Sequence, residues 1–74
     1  MKAFSTHLTW LRERAGITMY RLAFLSGISK EGIGQLEKGR SEPKLSTLVK
    51  LAEGLGIPTW EMLPDWPGEK PRKK

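Results

Sequence analysis

The sequence predicts an all-α bundle of five short helices. Apolar residues recur at three- and four-residue spacing, and glycine or proline closes each such run. No run alternates with the period of two that a half-buried strand requires. The predicted helices cover 5–15, 18–26, 29–38, 45–55 and 59–63.

In the first helix Leu8, Leu11 and Ala15 share a face; Ser5 is placed to cap its start and Gly16 to stop it. Thr18 opens the second, which runs to Ser26 before Gly27, and Ser29 opens the third, which runs to Lys38 before Gly39. A polar loop, Arg40-Ser41-Glu42-Pro43, leads to the fourth, where Leu48, Leu51, Ala52 and Leu55 form one stripe ending at Gly56. The fifth is short and is stopped by Pro64. Helices of two or three turns are marginal alone, so these must pack on one another. Asp65 to Lys74 has, apart from Trp66, no apolar periodicity. The chain is therefore expected to divide into a folded domain, 1–64, and a flexible basic tail, 65–74.

Composition narrows the function classes. A chain of 74 residues holds one domain with a small core. It has no cysteine and only one histidine, so neither a disulfide nor a structural zinc supplements that core; apolar packing, or a partner chain, must do so. Thirteen Lys and Arg against eight Asp and Glu give a net charge of +5, which favours polyanions through counterion release. Four of those positive charges fall in the last five residues, and 1–64 alone nets +3, so charge is supporting evidence only. No apolar run approaches the roughly 20 residues that span a bilayer. The first residues are not a signal core. A cytoplasmic protein without membrane association is expected. His7 has no evident nucleophile or carboxylate partner, and Gly32-x-Gly34 does not follow a strand. No enzyme activity, metal, cofactor or small-molecule ligand is expected.

One constellation carries function. Two helices crossing over a tight turn need a small residue at the crossing, a glycine at the turn and apolar pins on either side. Ala23, Gly27, Ile28, Leu22, Ile33 and Leu36 meet those needs, bracketed by the caps Thr18 and Ser29. Each is trivial alone; together they predict a helix-turn-helix.

These residues, with Gly16-Ile17-Thr18, Glu37, Gly39 and Pro43, resemble the lambda-repressor-like helix-turn-helix family, the Cro/repressor or XRE type. Leu48, Leu51-Ala52, Leu55-Gly56-Ile57 and Glu61-Met62-Leu63 extend the resemblance over Leu8 to Leu63. It implies a compact five-helix bundle that binds double-stranded DNA as a homodimer on inverted half-sites, with helix 29–38 in the major groove and transcriptional control as the outcome. By the same resemblance Lys30, Glu31 and Gln35 point at base edges, and Ser29 and Gly32 complete the reading set. The chemistry agrees: lysine donates to guanine, glutamate accepts from cytosine, and glutamine pairs with adenine. Arg12 and Glu37 match positions that form an ion pair between the first and third helices. Phosphate contacts are expected from Thr18, Tyr20, Arg21, Lys38, Arg40 and Lys44.

The sequence departs from the family in several places. Met19 stands where a glutamine is usual and hydrogen-bonds a phosphate poorly, which leaves that task to Tyr20 or Arg21. Lys44 stands where a serine usually caps the fourth helix. Phe24 and Leu25 occupy commonly charged positions; Phe24 is expected to pack against Phe4, Trp10 or the tail, with a protein-contact face as the rival. Gly32 is expected near DNA and Gly34 on the packing side. Met62 or Leu63 should complete the core, while Trp60, Leu63 and Trp66 form a candidate dimer or partner surface. The rival function is an antitoxin-like or adaptor helix-turn-helix that acts mainly through protein contacts, using Tyr20, Phe24, Trp60 and Trp66.

Overall fold

A computed structural model describes residues 3–64. Its elements are α1 (Phe4–Ala15), α2 (Met19–Ser26), α3 (Lys30–Glu37), α4 (Leu45–Leu55) and a 3-10 turn, Thr59–Met62. The described residues contain no strand. Each element lies within one residue of its predicted ends, but the last is a four-residue 3-10 turn and not an α-helix. Pro58 precedes it and Pro64 follows closely, so too few residues remain to propagate an α-helical ladder. The predicted basic tail, 65–74, with Trp66, lies outside the described residues. Among the described residues no helix is long and apolar enough to cross a membrane.

Local chemistry sets the helix ends. The Arg21 backbone N–H donates to Thr18 Oγ1 at 3.0 Å, and the Gly32 N–H to Ser29 Oγ at 3.0 Å, so both predicted caps form. Gly27 ends α2 at φ 77°, a left-handed conformation that a side chain would strain. The expected cap at Ser5 is not formed. Helix α1 begins one residue earlier, after Ala3, whose side chain cannot accept a hydrogen bond. Phe4 packs against the core and draws the first turn inward, leaving Ser5 inside the helix, where its carbonyl accepts from Thr9 Oγ1 at 3.2 Å.

Every element sends one large side chain to the centre. Leu8, Leu22, Ile33, Leu51 and Met62 are each 0% exposed. Leu11, Leu36 and Ala52 complete the cluster, and Leu48 and Leu55 pack on its edge. Burial of each such large side chain stabilises the fold by about 1.5–3 kcal/mol. Of the two candidates in the last element, Met62 joins the core, while Leu63 is 40% exposed.

Helices α2 and α4 approach closely at a residue that hydrophobic patterning does not reveal. A Cβ placed on Gly54 would lie 3.1 Å from the Ser26 backbone nitrogen and 3.2 Å from its Cα. Ser26 is itself buried, and its Oγ accepts from the Ile28 N–H at 3.3 Å. Gly34 is the opposite case. A Cβ there would meet no neighbouring atom within 4 Å, so the packing role expected for Gly34 is not found. Gly34→Ala is therefore expected to stabilise the fold by about 0.5–1 kcal/mol, the propensity gain of alanine in a helix. Gly54→Ala carries the same gain but must push the α2 backbone away, and its urea midpoint should fall. Midpoints that move in the same direction would refute this contrast.

Candidate nucleic-acid interface

Helix α3 has two faces. Ile33 and Leu36, three residues apart, turn into the core. Ser29, Lys30, Glu31, Gln35 and Lys38 are exposed. Gly32 is half-buried beside its own cap: a Cβ there would lie 3.1 Å from both Ile28 Cγ2 and Ser29 Oγ. Its missing side chain leaves room for the cap oxygen.

An ion pair locks α3 to α1. Arg12 Nε donates to Glu37 Oε2 at 2.7 Å and its Nη2 to Oε1 at 3.2 Å, a two-pronged contact with a fixed plane. Arg12 Nη1 donates to the Ile17 carbonyl at 2.9 Å, tying in the loop before α2. Thr9 Oγ1 lies 3.1 Å from Glu37 Oε1, so its one proton is shared between this carboxylate and the Ser5 carbonyl. The side chains of Arg12 and Glu37 are 14% and 6% exposed, so this is a nearly enclosed pair. Three donors of Arg12 thus point inward. The hydrogen bond to Glu37 raises the Arg12 pKa above its already high ordinary value, and partial burial opposes the rise. A raised base pKa adds stability that is lost only as pH rises through the folded value, here in strongly alkaline solution. Titration of Arg12 therefore provides no switch near neutrality.

The expected phosphate-contacting residues are all exposed and sit at helix starts or in the loop after α3. Thr18, Tyr20 and Arg21 lie at the start of α2, Lys38 and Arg40 just beyond α3, and Lys44 before α4. Lys44 supplies no side-chain cap, so the first amides of α4 lack that acceptor. Phe24 does not pack as expected. It is 76% exposed and lies on the outer side of α2, because Leu22 and Ser26, two residues away on either side, take the inner face. Leu25 is exposed as well. The Arg21 guanidinium lies over the Phe24 ring, 5.5 Å from its centroid, and the Lys30 ammonium lies 5.0 Å from the centroid of Tyr20.

A second region lies away from α3. A groove of about 280 Å³ runs between α1 and the 3-10 turn, lined by His7, Trp10, Arg14, Trp60, Glu61 and Leu63. The rings of His7 and Trp10 stack at 5.8 Å, and Arg14 covers Trp10 at 4.6 Å. His7 Nε2 lies 2.8 Å from the Glu61 carbonyl oxygen; a carbonyl only accepts, so this ring nitrogen carries the proton. Trp60 and Leu63 thus line the same groove, while Trp66, the third residue of the candidate partner surface, lies outside the described residues. Thr9, His7, Trp10 and Arg14 were not anticipated as members of either region. His7, Trp10 and Arg14 stand at i, i+3 and i+7 on α1, but residues at that spacing also make an ordinary solvated face, and Thr9 lies on the other side with Glu37.

A short helix, a glycine turn and a second helix with a pinned inner face and a polar outer face together define a helix-turn-helix unit. A helix-turn-helix family profile matches residues 8–59, and the chain belongs to that family. It is 46% identical over 59 residues to the HTH-type transcriptional repressor RghR of Bacillus subtilis, covering 78% of this chain and 44% of that protein. It is 44% identical over 54 residues to the HTH-type transcriptional regulator SutR of Escherichia coli, covering 73% of this chain and 30% of that one. The chain thus spans less than half the length of these two relatives. The restriction-modification controller protein C.AhdI from Aeromonas hydrophila has a crystal structure that matches with a TM-score of 0.79 at 34% identity, over 82% of this chain and 92% of that one.

Proposed function

We propose that this chain is a sequence-specific double-stranded DNA-binding domain of a transcriptional regulator, reading a palindromic operator with α3 in the major groove. The observation that carries this reading is the outer face of α3, which offers Ser29, Lys30, Glu31 and Gln35 around the gap at Gly32, while Ile33, Leu36 and the Arg12–Glu37 pair hold the inner face still. Donors and acceptors of this kind match the edges of base pairs in the major groove. Arg21, Lys38, Arg40 and Lys44 would neutralise flanking phosphates, and the Thr18 and Tyr20 hydroxyls would donate to them, which sets the docking register. The 3-10 turn then stands for the fifth helix of the lambda-repressor-like arrangement. Trp60 and Leu63, beside the groove on α1, form the surface proposed to pair two copies about a two-fold axis. Such a dimer presents its two reading helices about 34 Å apart, one turn of DNA.

Selection from random duplexes tests the reading. Enrichment of an inverted repeat supports it, and light scattering on the free protein and on the complex gives the stoichiometry. Weak binding to every duplex, abolished by moderate salt, would instead favour an adaptor acting through protein contacts. The exposure of Tyr20 and Phe24 is the observation on that side.

A further inference from the structure

A lysine at the start of an exposed helix has a long, freely rotating stem. An amine that samples many positions reads no particular base well. In this protein the Lys30 ammonium has a defined seat, 5.0 Å from the centroid of the Tyr20 ring. The seat comes from α2 and not from α3. Tyr20 is 72% exposed, so it contributes little to the core. Its neighbours are occupied elsewhere: Met19 packs against the core, and Thr18 Oγ1 accepts from the Arg21 N–H. Tyr20 is thus the α2 side chain that reaches the reading face. An ammonium over an aromatic face is held by the ring quadrupole, an attraction that does not need the hydroxyl.

We propose that Tyr20 is a specificity-determining positioning residue: its ring carries the Lys30 ammonium and thereby sets which base edge Lys30 reads. This rests on the reading above that Lys30 faces the major groove. It gives an exposed tyrosine on α2 a task in selectivity that a phosphate contact alone would not require.

The test uses the full chain and the operator obtained by selection, with competition binding against every single-base variant of one half-site. The variants are Lys30→Met, Tyr20→Phe, Tyr20→Leu and the Tyr20→Leu/Lys30→Met double, each checked for an unchanged thermal transition. Lys30→Met should erase preference at one base pair of each half-site, by roughly tenfold. Tyr20→Phe should keep the parent preference. Tyr20→Leu should weaken preference at that same base pair by roughly 2- to 5-fold, the exposed cation–π range converted to a ratio. The double variant should be no less selective than Lys30→Met. If Tyr20→Phe loses preference at that base pair as Tyr20→Leu does, the hydroxyl and not the ring positions Lys30, and the proposal falls; an equal loss of affinity for every sequence would report only a phosphate contact by the hydroxyl and leave the preference, and the proposal, in place. If Lys30→Met alters one position while Tyr20→Leu alters none, Lys30 reads without help, and the proposal falls by itself. If Lys30→Met changes no position, the base-reading role of Lys30 fails and takes the proposal with it.

Discussion

Replacing Arg12 with methionine is expected to lower folding stability by about 1–3 kcal/mol, the cost of leaving a largely enclosed carboxylate without its charged partner. The stranded group is Glu37. Its carboxylate side chain is 6% exposed, and without Arg12 it keeps the hydrogen bond from Thr9 Oγ1. The total stability of a domain this size is about 4–11 kcal/mol, so the loss is a large share of the whole. The double variant Arg12→Met/Glu37→Leu should recover most of it, because two apolar groups of similar volume leave no unpaired charge. Urea denaturation of the parent, both single variants and the double closes the cycle. A single variant that loses less than about 1 kcal/mol would place the pair among solvated surface contacts. The expected damage extends to DNA binding, because Arg12 also holds the Ile17 carbonyl and so connects α1, α3 and the loop before α2.

Gln35→Ala is expected to relax preference at one base pair per half-site by about 1–3 kcal/mol while leaving affinity for the other positions in place. Gln35 is exposed and lies two residues from Ile33 and one from Leu36, so its removal does not touch the core. Glutamine and alanine are both good helix formers, so α3 should survive the change. The measurement is competition binding against the four bases at each position. A drop of equal size for every duplex would mark Gln35 as a phosphate contact and remove it from the reading set.

The helices were legible because their boundary signals are local. Thr18, Ser29 and Gly27 act on atoms within a few residues, so the sequence around each contains the whole interaction. The pinned residues Leu22, Ile33 and Leu36 were legible because periodicity reports which face turns inward. Long-range approach was less accessible. Gly54 and Ser26 lie far apart in sequence, and neither is apolar enough to suggest that two backbones touch there. Gly34 misled in the other direction, since a glycine inside a helix suggests crowding that the space around it does not show. Phe24 was expected to be packed because it is apolar, but Leu22 and Ser26 already fill the inner side of a two-turn helix. In the candidate site, the Arg12–Glu37 pair came from family resemblance, whereas the seat of Lys30 on Tyr20 depends on how α2 and α3 cross, which no spacing along either helix encodes.

Met62 has a consequence for how this domain can be joined to anything else. It is 0% exposed and is the deepest anchor of the last described element, two residues before Pro64. Force or motion transmitted through a segment attached downstream would therefore reach the core at Met62 before it reached α4. A graft that cuts before Met62 would open the centre of the bundle, whereas one made after Pro64 leaves all five central side chains in place.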